Sequence, residues 1–515
     1  MSTPPLSRAL LPAILATIPA FSHADDIELR SPDGFISIEG EILSINENGM
    51  ITVATSVGDV TVPAVEVACF GAACPDEGVA RGVVEESVTV AAADSENVTF
   101  MRNFLLTTTA SSSRRAQTTD GSVALQGSGD DQLTRVSFQT DPSAEDPAVT
   151  ITNITPISAQ VPDLGPVTSW ASGTQLPSQL LAAKALSVVA SPEAGVTNLT
   201  IDDLARIYAG ELTNWSELGG ADFAITPIQV ASSERLHQDV QDLVLTPSGK
   251  ELSSNVFMVA DIGAIFNVMI SIPGAISVVP TEVSGLGNVI GVTDSCGVAS
   301  RATPFSVSAG IYPLTLSTVA VYEQDVQTTL TQVALDKAAL SAYGDPVVEA
   351  GFAAPGLYAL DKASTTARLT TLMEAEFDGP NRLAALNLMQ RLFDAKQLSA
   401  TFTDGPQSQT EGAWSRAHFV RLADAIRAGD YDGHDVMFVG FAEETADPAE
   451  AIALSERAAT NILAAFDAFA PDVTSRPDIT FTASGHGAVS KVRCFHNGVD
   501  AARGTSIEVW VRPKT

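Results

Sequence analysis

Residues 210–220, GELTNWSELGG, decide how the middle of this 515-residue chain is read. A tryptophan stands between one glycine and a glycine pair, and NLTIDDLARIYAG (198–210) leads into it. There Thr200 is placed to cap a helix and Asp203 falls in its first turn. Ile201, Leu204, Ile207 and Tyr208 recur at helical spacing, and Gly210 follows as the residue that ends it. The quoted stretch is therefore a helix exit. Trp215 is expected to pin the exit loop to a domain surface, while Gly219 and Gly220 supply the backbone freedom to turn into the strand AITPIQVA (224–231).

Working outward, ALSVV (185–189) reads as a strand before a proline turn and the capped helix. After AITPIQVA a short serine-containing loop opens another helix. Further on come IPGAISVVP (272–280), SCGVASRATPFSV (295–307) and YPLTL (312–316). This order resembles the second lobe of the phosphate-type, PstS-like periplasmic solute-binding proteins, with IPGAISVVP as the strand returning towards the hinge and 295–316 as re-entry into the first lobe. The resemblance covers about residues 85–350 and implies an α/β two-lobed periplasmic-binding-protein fold of type II.

The totals are compatible with several domains. Hydrophobic residues make up 45% and charged residues 17%, as in a globular chain, and 61 acidic against 28 basic residues give a net charge of −33. That field makes nucleic acid and anionic membranes poor partners. Arg8, the apolar run ALLPAILATIPAF (9–21) and SHA (22–24) fit a signal peptide cut after Ala24, with no cysteine at the cut to take a lipid. The run VFMVADIGAIFNVMISIPGAISVVP (256–280) is broken by Asp261, Asn267 and Pro273-Gly274, so a buried helix followed by a strand is expected there, not a membrane span. An exported, periplasmic protein is the expectation.

Four cysteines allow three pairings. Cys69 and Cys74 close the short loop CFGAAC, which leaves Cys296 with Cys494 as the arrangement without strained crossing, a long bridge between modules. Residues 25–82 hold alternating runs (FISIEGEILSI, MITVAT, DVTVP, VEVAC) that predict a small all-β module of about five strands. Residues 107–130, rich in Ser, Thr and Gly, read as a loop or a degenerate part of the first lobe. Residues 351–398 read as a helical linker. The domain plan is thus a leader at 1–24, a β module at 25–82, a solute-binding domain at 83–350 with its second lobe at about 180–285, the linker, and a last module at 399–515.

In that last module, DVMFVGF (435–441) predicts a strand and Asp447-Pro448 a helix start. Leu454, Ala458, Ile462 and Phe466 share a helix face, and DITFTASG (478–485) and TSIEVWVR (505–512) predict further strands, with Ile507, Val509 and Val511 on one face. GFAEETADPAEAIALSERAAT (440–460) resembles the core of the α+β OmpA-like domains. Members of that family clasp the amine and carboxylate of peptidoglycan diaminopimelate between an aspartate and an arginine. The resemblance places Glu443 at the acidic position and Ala458 at the arginine position, with Arg457 one residue early. The family's Asn-Arg-Arg near the final strand is replaced by Gly504, Thr505 and Ser506.

For the solute-binding domain the resemblance implies an oxyanion held at helix starts by backbone N–H groups and hydroxyls. The matching loops are SSERLHQDV (232–240), offering Ser232, Ser233 and Arg235, and ADSENVTF (93–100), offering Ser95. The family's Gly-Thr is absent, and Asp94, Glu96 and Glu234 put negative charge at both helix starts. The function implied is a periplasmic binding protein of the phosphate ABC-transporter type with a wall-associating domain and a diverged ligand site. Its partners would be a small anion, a transporter permease and peptidoglycan. The alternative is an envelope structural protein that has lost both ligands. No nucleophile elbow or phosphate-cradling glycine loop points to an enzyme, and His486, Cys494 and His496 lack zinc spacing, so no cofactor or metal is expected.

Overall fold

The computed structural model describes residues 27–31, 37–46, 49–70, 73–75, 80–81, 84–92, 95–110, 115–119, 121–126, 132–140, 149–154, 163–166, 178–294, 297–322, 337, 340–377, 379–404, 406–490 and 504–514. Two units emerge, one of residues 1–86 with 126–133 and one containing the rest. The leader at 1–24 lies outside the described residues, as do Cys296 and Cys494, so their pairing is not addressed.

The first unit carries β1 (Ile27–Arg30), β2 (Ser37–Ile45), β3 (Met50–Thr55), β4 (Gly58–Pro63), β5 (Ala68–Phe70) and β6 (Ala80–Arg81) in the order β4-β3-β2-β1-β5-β6. Six strands stand where about five are expected. Leu29, Ile51 and Val53 are fully buried in its core, and Cys69 and Cys74 form a disulfide beside them.

A thirteen-stranded sheet, most of whose residues belong to the second unit, takes in β7 (Val84–Ala92), β8 (Arg115–Thr119), β9 (Ser122–Gln126), β10 (Gln132–Gln139), β11 (Val149–Ile154), β13 (Ser178–Ala190), β14 (Asn198–Thr200), β15 (Thr226–Val230), β16 (Phe257–Val259), β17 (Ala275–Pro280), β18 (Asn288–Thr293), β19 (Ala299–Ser300) and β20 (Thr315–Tyr322). A separate short strand, β12 (Asp163–Pro166), pairs with β22 (Pro406–Ser408). Two of the thirteen, β8 and β9, fall within 107–130, the segment read from sequence as a loop or a degenerate part of the first lobe. Helix α1 (Ser95–Ala110) covers this part, and Val123 and Leu125 are buried while Ser122 and Ala124 are not, the period of a strand with one face inward.

Strand β13 is the axis of the sheet. From Ser178 to Ala185 it pairs with β20, and from Leu186 to Ala190 with β17, so one strand passes from one lobe into the other. The opening stretch sits at the far end. Helix α2 (Ile201–Tyr208) starts with a capping box in which the Asp203 N–H donates to Thr200 Oγ1 at 3.0 Å and the Thr200 N–H donates to Asp203 Oδ2 at 3.1 Å. Trp215 is fully buried and its Nε1–H donates to Gly274 O at 3.0 Å, so the helix exit is fastened to the turn before β17. Gly274 has φ 82°, and a Cβ there would lie 2.2 Å from Ala224 O, so only glycine fits. Two short helices follow, α3 (Arg235–Val240) and α4 (Ile262–Ser271). The latter, expected to be buried, lies on the surface: only Ile265 is buried and Ile270 is 86% exposed. Asp261 caps it, accepting from the Ala264 N–H at 2.9 Å, and the polar interruptions that argue against a membrane span also leave it a wet face.

After α5 (Pro304–Ser308) and β20, the chain passes α6 (Asp345–Glu349) and enters a second layered structure. It comprises α7 (Lys362–Glu374), α8 (Gly379–Leu392), β21 (Lys396–Phe402), α9 (Gln409–Ala428), β23 (His434–Ala442), α10 (Pro448–Phe469), β24 (Thr480–Gly485) and β25 (Thr505–Pro513), with sheet order β21-β25-β23-β24. On one face α9 and α10 pack Phe419, Ile462 and Phe466 against Phe438, Ile507, Val509 and Val511. On the other, Leu372, Leu388 and Leu392 of α7 and α8 pack against Met437, Phe441 and Trp510. The expected helical linker at 351–398 therefore does not merely bridge: it is the second cover of this sheet. A buried ion pair fixes it, Arg368 Nη1 to Glu508 Oε2 at 2.8 Å, with Glu508 also accepting from Trp510 Nε1–H at 3.0 Å.

Candidate functional site

Strand directions set the geometry of the first candidate site. β20 runs antiparallel to β13, β11 antiparallel to β20 and β7 parallel to β11, so β7 runs the same way as β13. β17 is antiparallel to β13 and β15 parallel to β17, so β15 runs the opposite way. By register, Ala92 at the end of β7 lies level with Gln179, and Ile228 in β15 lies level with Val189. The carboxyl ends of β7 and β15 thus point towards each other across the hinge, and each is followed by a helix start. In α/β sheets such facing ends are where ligands settle.

Ser95 is the first residue of α1, on the first-lobe side. On the other side, Ser232 and Ser233 are exposed in the loop between β15 and α3. Glu234, at the helix start, makes no side-chain cap. Arg235 is not loose: its Nε–H donates to Asp239 Oδ1 at 2.8 Å, one turn along the same helix. Asp239, whose side chain is 1% exposed, also meets Lys184 Nζ through Oδ2 at 2.7 Å. Two cations bracket one buried carboxylate, leaving the group with net charge +1 at the hinge. Lys184 escapes sequence reasoning because it stands alone in the apolar run LLAAKALSVV, and nothing local signals its partner.

The second candidate site is one end of the C-terminal sheet. β21 and β23 both run antiparallel to β25, so their carboxyl ends emerge together beside its start. Exposed Glu443 follows β23, and its N–H donates to Gly504 O at 2.9 Å. Asp404 follows β21, half-buried, with its N–H donating to Thr505 Oγ1 at 3.2 Å and its carboxylate accepting from Asn461 Nδ2–H at 3.1 Å. Burial pushes the Asp404 carboxyl upward, opposed by the Asn461 hydrogen bond and the charge of Arg457. Glu443 and Arg457 are therefore brought to one end of the sheet, and Asp404 joins them. A strand ending directly in aspartate, TFTDG, was the available signal for it. Ala458 is fully buried among Ile462, Phe466 and Phe438. A longer side chain there would enter the core, so the helical step between Arg457 and Ala458 is the step from solvent to interior.

Between the two candidate sites lies a buried polar joint. Trp414 of α9 is fully buried and donates through Nε1–H to Ser317 Oγ of β20 at 3.1 Å. The Ser308 carbonyl at the end of α5 lies 3.0 Å from His418 Nε2 and accepts from Arg421 Nη1–H at 2.9 Å, His418 Nδ1 lies 2.8 Å from Thr401 O, and Thr401 of β21 donates through Oγ1–H to Ala309 O at 2.9 Å. Burial, then the neighbouring Arg421 charge, holds the His418 imidazole down at about 3, and burial lowers the Arg421 guanidinium to about 10. His486 is likewise buried, with Nδ1 at 3.2 Å from Ala384 O, while Cys494 and His496 lie outside the described residues. Among the described residues, no helix is long and apolar enough to cross a membrane.

Residues 167–332 match the PBP superfamily domain, about a third of the chain. Over 61 residues the chain is 41% identical to the phosphate-binding protein PstS of Borreliella burgdorferi, a match spanning 12% of this chain and 22% of the relative. Among solved structures it is similar to PstS from Borrelia burgdorferi (18% identity, 52% of this chain and 99% of that chain, TM-score 0.40). It is also similar to an ABC-type phosphate transport receptor from Vibrio cholerae (14% identity, 52% of this chain and 100% of that chain, TM-score 0.38).

Proposed function

We propose that the chain is a periplasmic solute-binding protein of the phosphate-transport type that takes a small oxyanion in the cleft between the starts of α1 and α3. Ser95, Ser232, Ser233 and Arg235 supply its ligands, Lys184 reinforces the field, and an ABC-transporter permease receives the solute. The observation that carries this reading is the strand direction: β7 and β15 run head-on towards one another across β13, so two helix starts with their outward N–H groups converge on one gap. The PBP superfamily match over 167–332 and the short, close similarity to a phosphate-binding protein support it. The C-terminal α/β layer, in this reading, is an OmpA-like domain that meets peptidoglycan at the sheet end formed by Glu443, Asp404 and Arg457.

One observation favours the second reading, an envelope structural protein without ligands: Asp239 already engages both nearby cations. A thermal shift experiment separates the two. Phosphate at about 100 times its dissociation constant stabilises a binding protein by about 2.7 kcal/mol. A rise in Tm with phosphate that Arg235→Glu abolishes supports solute capture. No rise with phosphate, sulfate or organic phosphates at millimolar concentration supports the structural reading.

A further inference from the structure

A cavity of about 350 Å³ lies behind the hinge strand, within the range of roughly 300–1,000 Å³ typical of small-molecule sites. Its walls are apolar, from Val307, Val348, Phe352 and Ala353, with the Tyr358 side chain alongside. Ala185 of β13 forms its floor. Successive side chains of a strand point to opposite faces. Lys184 reaches Asp239 on α3, so Ala185 and the cavity lie on the reverse of the strand that carries the candidate anion group. This is a second site, distinct from the cleft.

Two walls of the cavity are hydrogen-bonded to β13 itself. Thr281 Oγ1–H donates to Ala185 O at 2.8 Å, and the Ala353 N–H donates to Ala183 O at 2.7 Å. Thr281 follows β17 of the second lobe, whereas Phe352 packs in the first-lobe core with Phe100, ring centroids 5.0 Å apart. An occupant would touch both lobes at the point where the sheet changes partners.

The chemistry of the lining selects the occupant. Glu282 is the charged residue among those that line the cavity, and it is exposed, at the mouth. The aromatic rings of Phe352 and Tyr358 suit a flat apolar body and a nearby cation. We propose that this cavity binds a compact amphiphilic amine, an apolar ring or short chain bearing one ammonium group, with the ammonium at Glu282, and that occupancy braces the hinge. The inference goes beyond anion capture and does not depend on it.

The probe is 2-phenylethylamine, with 2-phenylethanol as its neutral counterpart, titrated into the full chain by calorimetry and ligand-observed NMR. Saturable amine binding is expected, with slower amide exchange in β13 and β20 when the cavity is filled. Val348→Trp, at a residue 50% exposed and so tolerant of change, closes the mouth and removes binding of both probes. Glu282→Gln weakens the amine by about fivefold, the scale of a solvent-exposed ion pair, and leaves the alcohol unchanged. Absence of saturable binding, or binding indifferent to Val348→Trp, overturns the site. An alcohol that binds as tightly as the amine overturns the role of Glu282.

Discussion

The hinge and the end of the C-terminal sheet each gather charge of both signs, and they use it differently. At the hinge, Asp239 is buried and both cations close on it at 2.7 and 2.8 Å. At the sheet end, Arg457 stays in solvent, and half-buried Asp404 is held by an amide and a hydroxyl. The first group is shaped by its internal partners and the second leaves its cation turned outward. A charged cluster therefore has to be judged by who already holds each charge.

The sharpest break of that contrast is Ala458→Arg. If Arg457 is the outward cation and Ala458 a core residue, the variant places a guanidinium in a packed interior and lowers stability by more than about 3 kcal/mol. It does not improve peptidoglycan retention. Chemical denaturation and a wall pull-down check both halves, and a stable variant with stronger retention would show the two positions exchanged.

Acid should strain the buried joint next. His418 is held near 3 in the folded chain against an ordinary value of 6.5. A depressed folded value means the neutral form is favoured, so its contribution is whole above pH 6.5 and is lost as pH falls towards 3. By pH 4.5 the loss is on the order of 3 kcal/mol. His418→Gln, which keeps an N–H for Ser308 O, is expected to flatten that part of the stability profile relative to the unaltered protein, measured by urea titration at each pH.

Asp239→Asn probes the hinge more gently. It is expected to lower stability by about 1–3 kcal/mol, because a buried acceptor for two cations loses its charge, while freeing Lys184 and Arg235 to attract phosphate. Weaker phosphate binding in this variant would place Asp239 among the ligands instead of beside them. The smallest stability effect belongs to Arg457→Ala, within about 0.5 kcal/mol as for an exposed side chain, with peptidoglycan retention reduced. Unchanged retention would remove Arg457 from the proposed wall-binding site.

Local signals were legible in the sequence wherever the physics is local. Thr200 and Asp203 cap α2, Trp215 anchors its exit, and Ile507, Val509 and Val511 share one core. The β8 and β9 strands were missed because Ser and Thr mask their alternation, although Gly121 at φ 82° marks the turn before SVALQ. The second cover of the C-terminal sheet was also missed. VMFVGF in β23 is apolar at consecutive positions, which is the mark of a strand buried on both faces and calls for helices on each. Of the candidate sites, Ser232, Ser233 and Arg235 were visible as one loop, but Lys184 and Asp404 come to their partners only through long-range folding.

The Ser308 joint has a thermal consequence. Two side chains of α9, His418 and Arg421, close on its carbonyl, and Trp414 of the same helix is buried against β20, so the lobes and the C-terminal layers share one interior instead of meeting through a linker. Opening that seam would strand a buried guanidinium partner and an indole N–H together. A calorimeter should therefore record the unit of residues 87–125 and 134–515 as a single endotherm, with no early shoulder from the C-terminal layers melting alone.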